Sequence, residues 1–132
     1  MMVIGLSVVF NKVSLFERYF FMEIFFKNRR LAEIFNLQKT LYKSYGKGLG
    51  DAIKRRLAVL AAAPTLADVS HKPPERKHGL KGKRNEEFAV DLDKKYRLIF
   101  KPEHNPLPRK DDGGLDLKKI TAVTILGVED YH

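Results

Sequence analysis

Along the chain the spacing of apolar and polar positions switches from strand-like to helical and back to strand-like. Met22 to Phe26 is a short apolar, β-favouring run and predicts a first strand. Asn28 can cap the helix that follows, where Leu31, Ile34, Phe35, Leu41, Tyr42 and Tyr45 fall near helical spacing. Gly46, Gly48 and Gly50 interrupt that pattern. A second helix then carries Leu49, Ile53, Leu57 and Leu60 on one face, with Lys54, Arg55 and Arg56 mostly on the other, and ends at Ala63 before Pro64.

A polar stretch containing Pro73 and Pro74 leads into a second strand, where Phe88, Val90 and Leu92 alternate with Glu87, Ala89, Asp91 and Asp93. Lys94 and Lys95 mark a turn, and Tyr96 to Lys101 returns as a neighbouring strand, expected to be antiparallel. Residues 102–118, with Pro102, Pro106, Pro108 and Gly113-Gly114, read as a long loop. The last strand, Ile120 to Val128, is apolar on both sides, with Val123 and Ile125 on one and Ala122, Leu126 and Val128 on the other. Such a strand sits inside a sheet. The order β-α-α-β-β-β predicts an α+β fold, a helical hairpin packed on a small, mostly antiparallel sheet.

Residues 1–21 stand apart, with 14 of 21 apolar. Their longest uncharged run, Met1 to Asn11, is well short of the roughly 20 residues of a membrane span. Lys12 follows the apolar run rather than preceding it, unlike a secretory signal. The segment therefore reads as an N-terminal extension, and residues 22–132 as one domain.

Composition narrows the chemistry. The chain has 132 residues, no Cys, and 25 Lys plus Arg against 16 Asp plus Glu, a formal charge of +9. Without Cys there is no disulfide scaffold, thiol nucleophile or Cys-ligated zinc, and a reducing cytoplasm is permitted. The positive excess favours a polyanionic partner such as nucleic acid. His71, His78, His104 and His132 show none of the short spacings of zinc sites, and no phosphate-binding glycine loop or nucleophile elbow occurs.

Two segments carry chemistry. Lys72 to Arg84 holds six basic residues (Lys72, Arg76, Lys77, Lys81, Lys83, Arg84) against one acidic residue, Glu75, with His78 in its middle. A phosphodiester would meet charge-assisted donors here, plus an imidazole, whose ordinary titration lies near neutral pH. A solvated basic loop would have the same composition. The chain end, Glu129-Asp130-Tyr131-His132, follows the apolar strand and offers an acid, a phenol and an imidazole, though chain ends often fray. Arg97 lies on the strand before the long loop, where an arginine often only forms a salt bridge on a sheet face.

In that order, Arg76-Lys77-His78-Gly79-Leu80-Lys81-Gly82, Phe88-Ala89-Val90, Tyr96-Arg97-Leu98-Ile99-Phe100 and Val128-Glu129-Asp130-Tyr131-His132 resemble the HigB branch of the RelE/ParE toxin superfamily, the plasmid maintenance killer proteins of type II toxin–antitoxin modules. The resemblance spans about residues 22–132. It implies a microbial-ribonuclease-like fold and metal-independent, cofactor-free cleavage of messenger RNA in the ribosomal A site. It also implies a cytoplasmic location away from membranes, the ribosome as partner, and a cognate antitoxin with which the toxin forms a hetero-oligomer.

Carried over by position, His78 matches a histidine proposed for proton transfer, and Asp130, Tyr131 and His132 match the terminal acid, tyrosine and histidine of the active site. Lys81 and Arg97 match cations expected to hold the scissile phosphate, with Arg76, Lys77, Lys83 and Arg84 as further RNA-binding candidates. The segment 1–21 and the 102–118 loop depart from compact members. Two rival readings remain: a ParE-like gyrase inhibitor on the same fold, and a non-catalytic nucleic-acid-binding or regulatory member of the module.

Overall fold

The structure, a computed structural model, describes residues 21–130; the expected extension up to residue 20, together with Tyr131 and His132, lies outside the described residues. Three helices pack on a five-stranded open sheet, so the α+β class holds, with one helix and one strand more than the sequence pattern suggests. The strands are β1 (Glu23–Phe26), β2 (His78–Gly79), β3 (Phe88–Asp91), β4 (Tyr96–Pro102) and β5 (Ala122–Asp130). Their order across the sheet is β1-β5-β4-β3-β2, with β1 parallel to β5 and the other pairs antiparallel. As its two apolar faces require, β5 is an interior strand.

The helices are α1 (Arg29–Asn36), α2 (Gln38–Tyr45) and α3 (Lys47–Ala62). Asn28 caps α1, its side-chain oxygen accepting from the Leu31 amide at 2.9 Å. The single helix expected from Asn28 to Tyr45 is broken at Leu37, which adopts an extended conformation. The Thr40 hydroxyl lies within hydrogen-bonding distance of the Glu33, Ile34 and Leu37 carbonyls, so it serves acceptors that a continuous helix would have satisfied. Leu37 is left with 61% of its surface exposed, an outlying apolar residue at the break.

Only Gly46 forms the α2–α3 turn, at φ 83°; Gly48 and Gly50 lie inside α3 and do not interrupt it. Gly50 permits close helix approach, because a Cβ there would lie 2.6 Å from a Tyr42 ring carbon. The core between helices and sheet contains Ile24, Phe26, Leu31, Phe35, Leu41, Ile53, Leu60, Val90, Leu98, Phe100, Val123 and Ile125. Arg56 corrects the expected polar face of α3: it is buried among these apolar positions, 8% exposed.

One irregularity decides what the end of β5 presents. Ile99 pairs with Gly127 but Phe100 pairs with Ile125, so Leu126 is an extra residue in a β-bulge. Gly127 accommodates it at φ 149°. The slip returns Val128 to the core side with Ile125, where strict alternation had put it with Ala122 and Leu126. Glu129 is turned to the opposite side. The 102–118 segment is also more ordered than its composition suggests: an Arg109–Leu115 bridge forms a small hairpin, and a 3-10 turn spans Leu117–Lys119.

Candidate functional site

Residues directly opposed in antiparallel strands share a face of the sheet. His78 opposes Ala89, Ala89 opposes Ile99, and Ile99 opposes Gly127. In the next row, Asp91 opposes Arg97 and Arg97 opposes Glu129. Alternation puts both rows on the face away from the helices, so His78, Arg97 and Glu129 share one surface although 51 residues separate the first from the last. Asp130 opposes Tyr96, a residue that packs on the helix-side core, and so falls on the other face at the strand's end. Register thus groups His78 with Arg97 but not with Asp130.

His78 Nδ1 lies 2.7 Å from the Arg76 carbonyl oxygen. A carbonyl only accepts, so Nδ1 carries the hydrogen, and in the neutral ring Nε2 holds the lone pair. Nε2 has no hydrogen-bond partner among the described residues. It is therefore the atom able to take or give a proton. The carbonyl is aimed by an unusual backbone, since Arg76 has φ 46°, a left-handed conformation that costs a non-glycine residue roughly 1 kcal/mol or more.

That conformation is held from three sides. The Arg76 amide donates to Lys72 O at 2.9 Å, and its guanidinium makes a two-pronged pair with Asp91, Nε to Oδ2 at 2.7 Å and Nη2 to Oδ1 at 3.1 Å. The Asp91 amide donates to Glu75 O at 2.8 Å. Behind them, buried Arg56 reaches out of α3, its Nε donating to Asp91 O at 2.6 Å and its Nη2 to Pro74 O at 3.4 Å. A charge-assisted donor makes a stronger hydrogen bond to a carbonyl than a neutral one would.

The remaining candidates divide into engaged and exposed. Arg84 donates through Nη1 and Nη2 to both Glu129 oxygens at 2.8 Å and through Nε to Glu87 at 2.7 Å. This hydrogen-bonded guanidinium is the main cause holding the Glu129 carboxyl below its ordinary range, with the charges of Arg97 and Lys27 adding to it. The Lys77 ammonium donates to Leu66 O at 2.7 Å, and burial lowers its pKa. Arg76, Lys77 and Arg84, three of the four further RNA-binding candidates, are thus committed to contacts within the chain. Lys81 and Lys83 are exposed on the loop between β2 and β3.

Arg56, Asp91 and Glu87 were not singled out from the sequence. For Arg56 a signal existed: with Leu49, Ala52 and Ile53 it completes the i, i+3, i+4, i+7 stripe of a core-facing side. Nothing local marks Asp91, whose role depends on a partner 15 residues away and a helix 35 residues away. Among the described residues no three His, Asp or Glu side chains converge as a metal-ligand set, and no helix is long and apolar enough to cross a membrane.

Residues 24–108 match the profile of the HigB-like toxin family, described as the RelE-like toxin HigB of type II toxin–antitoxin systems. That match covers well over half of the chain, which therefore belongs to this family of toxins. A chain of the YoeB–YefM complex from Staphylococcus aureus is structurally similar, with a TM-score of 0.48 and 13% identity over 84% of this chain and 97% of that one. No curated protein sequence matches significantly.

Proposed function

We propose that the protein is a ribosome-dependent endoribonuclease toxin that cuts messenger RNA in the ribosomal A site and so arrests translation. The observation that carries this reading is the His78 ring. Its Nδ1 is engaged by a backbone carbonyl, its Nε2 is left for proton transfer, and Arg97 stands on the same sheet face. Cleavage without a metal requires a base to take the 2′-hydroxyl proton, cations to stabilise the pentacoordinate phosphorane, and an acid to protonate the departing 5′-oxygen. The 2′-oxygen bonds to phosphorus as the P–O5′ bond breaks, leaving a 2′,3′-cyclic phosphate and a 5′-hydroxyl.

His78, protonated at Nε2, is the acid in this scheme. Arg97 and Lys81 are the phosphate cations. The base is His132 or Asp130, with Tyr131 stacking on a nucleobase. Family membership supports a cognate antitoxin as partner, for which an acidic segment would suit the +9 chain.

The test is induction of the chain in growing cells followed by primer-extension mapping of transcripts. In-frame cuts that depend on translation, and that disappear in folded His78→Ala, are expected. Such a loss would amount to about 10²–10⁴-fold if His78 is a general acid. DNA-damage signalling in place of cuts would point to gyrase poisoning, and unchanged cleavage by His78→Ala would remove the proposed site.

A further inference from the structure

We infer that Arg56 and Asp91 are positioning residues for His78, acting through the strained backbone of Arg76 to fix which ring nitrogen is free for proton transfer. The inference rests on the proposed role of His78 and assigns a purpose to the one buried arginine among the described residues.

The reasoning follows the contacts outward from the ring. In water a neutral imidazole exchanges its proton between the two nitrogens. Here the Arg76 carbonyl, 2.7 Å away, selects the form with hydrogen on Nδ1. The carbonyl keeps that aim only while Arg76 stays at φ 46°. Released, an arginine would relax to negative φ, and the peptide plane carrying the carbonyl would rotate away from the ring. The Arg76 guanidinium is tied to both Asp91 oxygens, and the Asp91 carbonyl is tied to Arg56 at 2.6 Å. Arg56 also reaches Pro74 O, so one guanidinium contacts the end of β3 and the loop that carries Arg76. The group at the base of this chain is rigid because it is buried in α3, beneath the sheet, while the imidazole it serves is on the opposite face.

A purely structural arginine, present only to satisfy two carbonyls, would leave the tautomer of His78 unchanged in any variant that folds. The discriminating measurement is therefore the ring itself. Long-range proton–nitrogen correlation spectra of the full-length 15N-labelled protein, with the His78 signals assigned by their absence in His78→Ala, report the tautomer directly. Single-turnover cleavage on programmed ribosomes is measured in parallel, with ribosome affinity recorded separately.

In the wild type the Nδ1–H form dominates. In Arg56→Lys and Asp91→Asn the ring reverts toward the mixed population of free imidazole, and cleavage slows about ten- to a hundredfold with ribosome affinity unchanged, the penalty of a misplaced catalytic group. Because either variant could fail to fold, Arg76→Gly is the second arm. Glycine accepts positive φ without strain, so the variant folds, yet it lacks the guanidinium that Asp91 holds, and it too loses the tautomer preference. Folded Arg56→Lys and Arg76→Gly proteins that keep both the wild-type tautomer and the wild-type rate would overturn the inference, as would a lost tautomer preference with an unchanged rate. Full cleavage by His78→Ala would instead overturn the underlying assignment of His78, an outcome readable independently of the other variants.

Discussion

Replacing Glu129 by Gln should weaken the fold and strengthen RNA binding at once. Glu129 takes both outer nitrogens of Arg84, which bridges from the loop before β3 to the end of β5, 45 residues along the chain. The two side chains are 39% and 41% exposed, which puts the pair among solvent-screened ion pairs worth about 0.2–1 kcal/mol, and its two-pronged geometry argues for the upper half. For a domain of this size that is about 2–4 °C in Tm. The stabilisation is fully present above the ordinary carboxylate range and fades as pH falls through the lowered Glu129 value, so wild type and variant converge in acid.

The same substitution removes a negative charge from the sheet face and leaves Arg84 with Glu87 alone, free to turn its fork to a phosphate. One more phosphate contact should steepen the slope of log affinity against log salt by about 0.7–0.9 and raise low-salt affinity for a short single-stranded RNA several-fold. Fluorescence anisotropy over a salt series, paired with thermal melts, reads both effects. Arg84→Gln is the control: it should lower Tm by a similar amount without steepening the slope. If Glu129→Gln leaves the salt slope unchanged or weakens RNA binding, Arg84 is not a masked phosphate ligand and the reasoning fails.

Further outcomes can be stated for the same preparation. Lys81→Gln and Lys83→Gln, at exposed positions, should each make the RNA salt slope shallower by about one without moving Tm, whereas Lys77→Gln should lower Tm because its ammonium holds the Leu66 carbonyl. Leu98→Ala, at a fully buried position in β4, should cost about 2–5 kcal/mol and lower the urea midpoint accordingly. Gly50→Ala should lower Tm although alanine is the better helix former: the new Cβ would lie 2.6 and 2.9 Å from Tyr42 ring carbons, and the Tyr42 hydroxyl is hydrogen-bonded to Asp51. Overpacking of that kind costs about 1–3 kcal/mol against a propensity gain of about 1 kcal/mol.

The parts of the fold governed by local period were readable in the chain. Alternation from Phe88 to Leu92, the Tyr96–Lys101 return strand and the doubly apolar β5 specified three adjacent strands, and Asn28 marked the start of α1 correctly. The misses have non-local causes. Leu37 and Gln38 are acceptable helix residues, and the break there is supported by a Thr40 hydroxyl whose acceptors lie on the preceding helix. Strand β2 is two residues long and exists because β3 offers an edge for His78 and Gly79 to pair with. The bulge at Leu126 follows from how β5 meets β4, and no composition rule reveals it, yet it decides that Glu129 shares a face with His78 and Asp130 does not.

The least legible property was where the positive charge goes. Read as composition, Lys72 to Arg84 is a polycation open to phosphate. In the structure Arg76 pairs with Asp91 and Arg84 with Glu87 and Glu129, while Arg97 on β4 stands between Asp91 and Glu129, three guanidiniums against three carboxylates. Those formal charges cancel among themselves, and one of the pairs, Arg76–Asp91, holds the residue whose carbonyl faces His78. A candidate face whose arginines are largely balanced attracts free RNA weakly, which leaves exposed lysines such as Lys83 and Lys81, the latter the proposed phosphate cation, to make the contact. On this argument the chain is poorly suited to seize loose transcripts and better suited to an RNA already held in place by another body, which is the setting the proposed ribosomal activity requires.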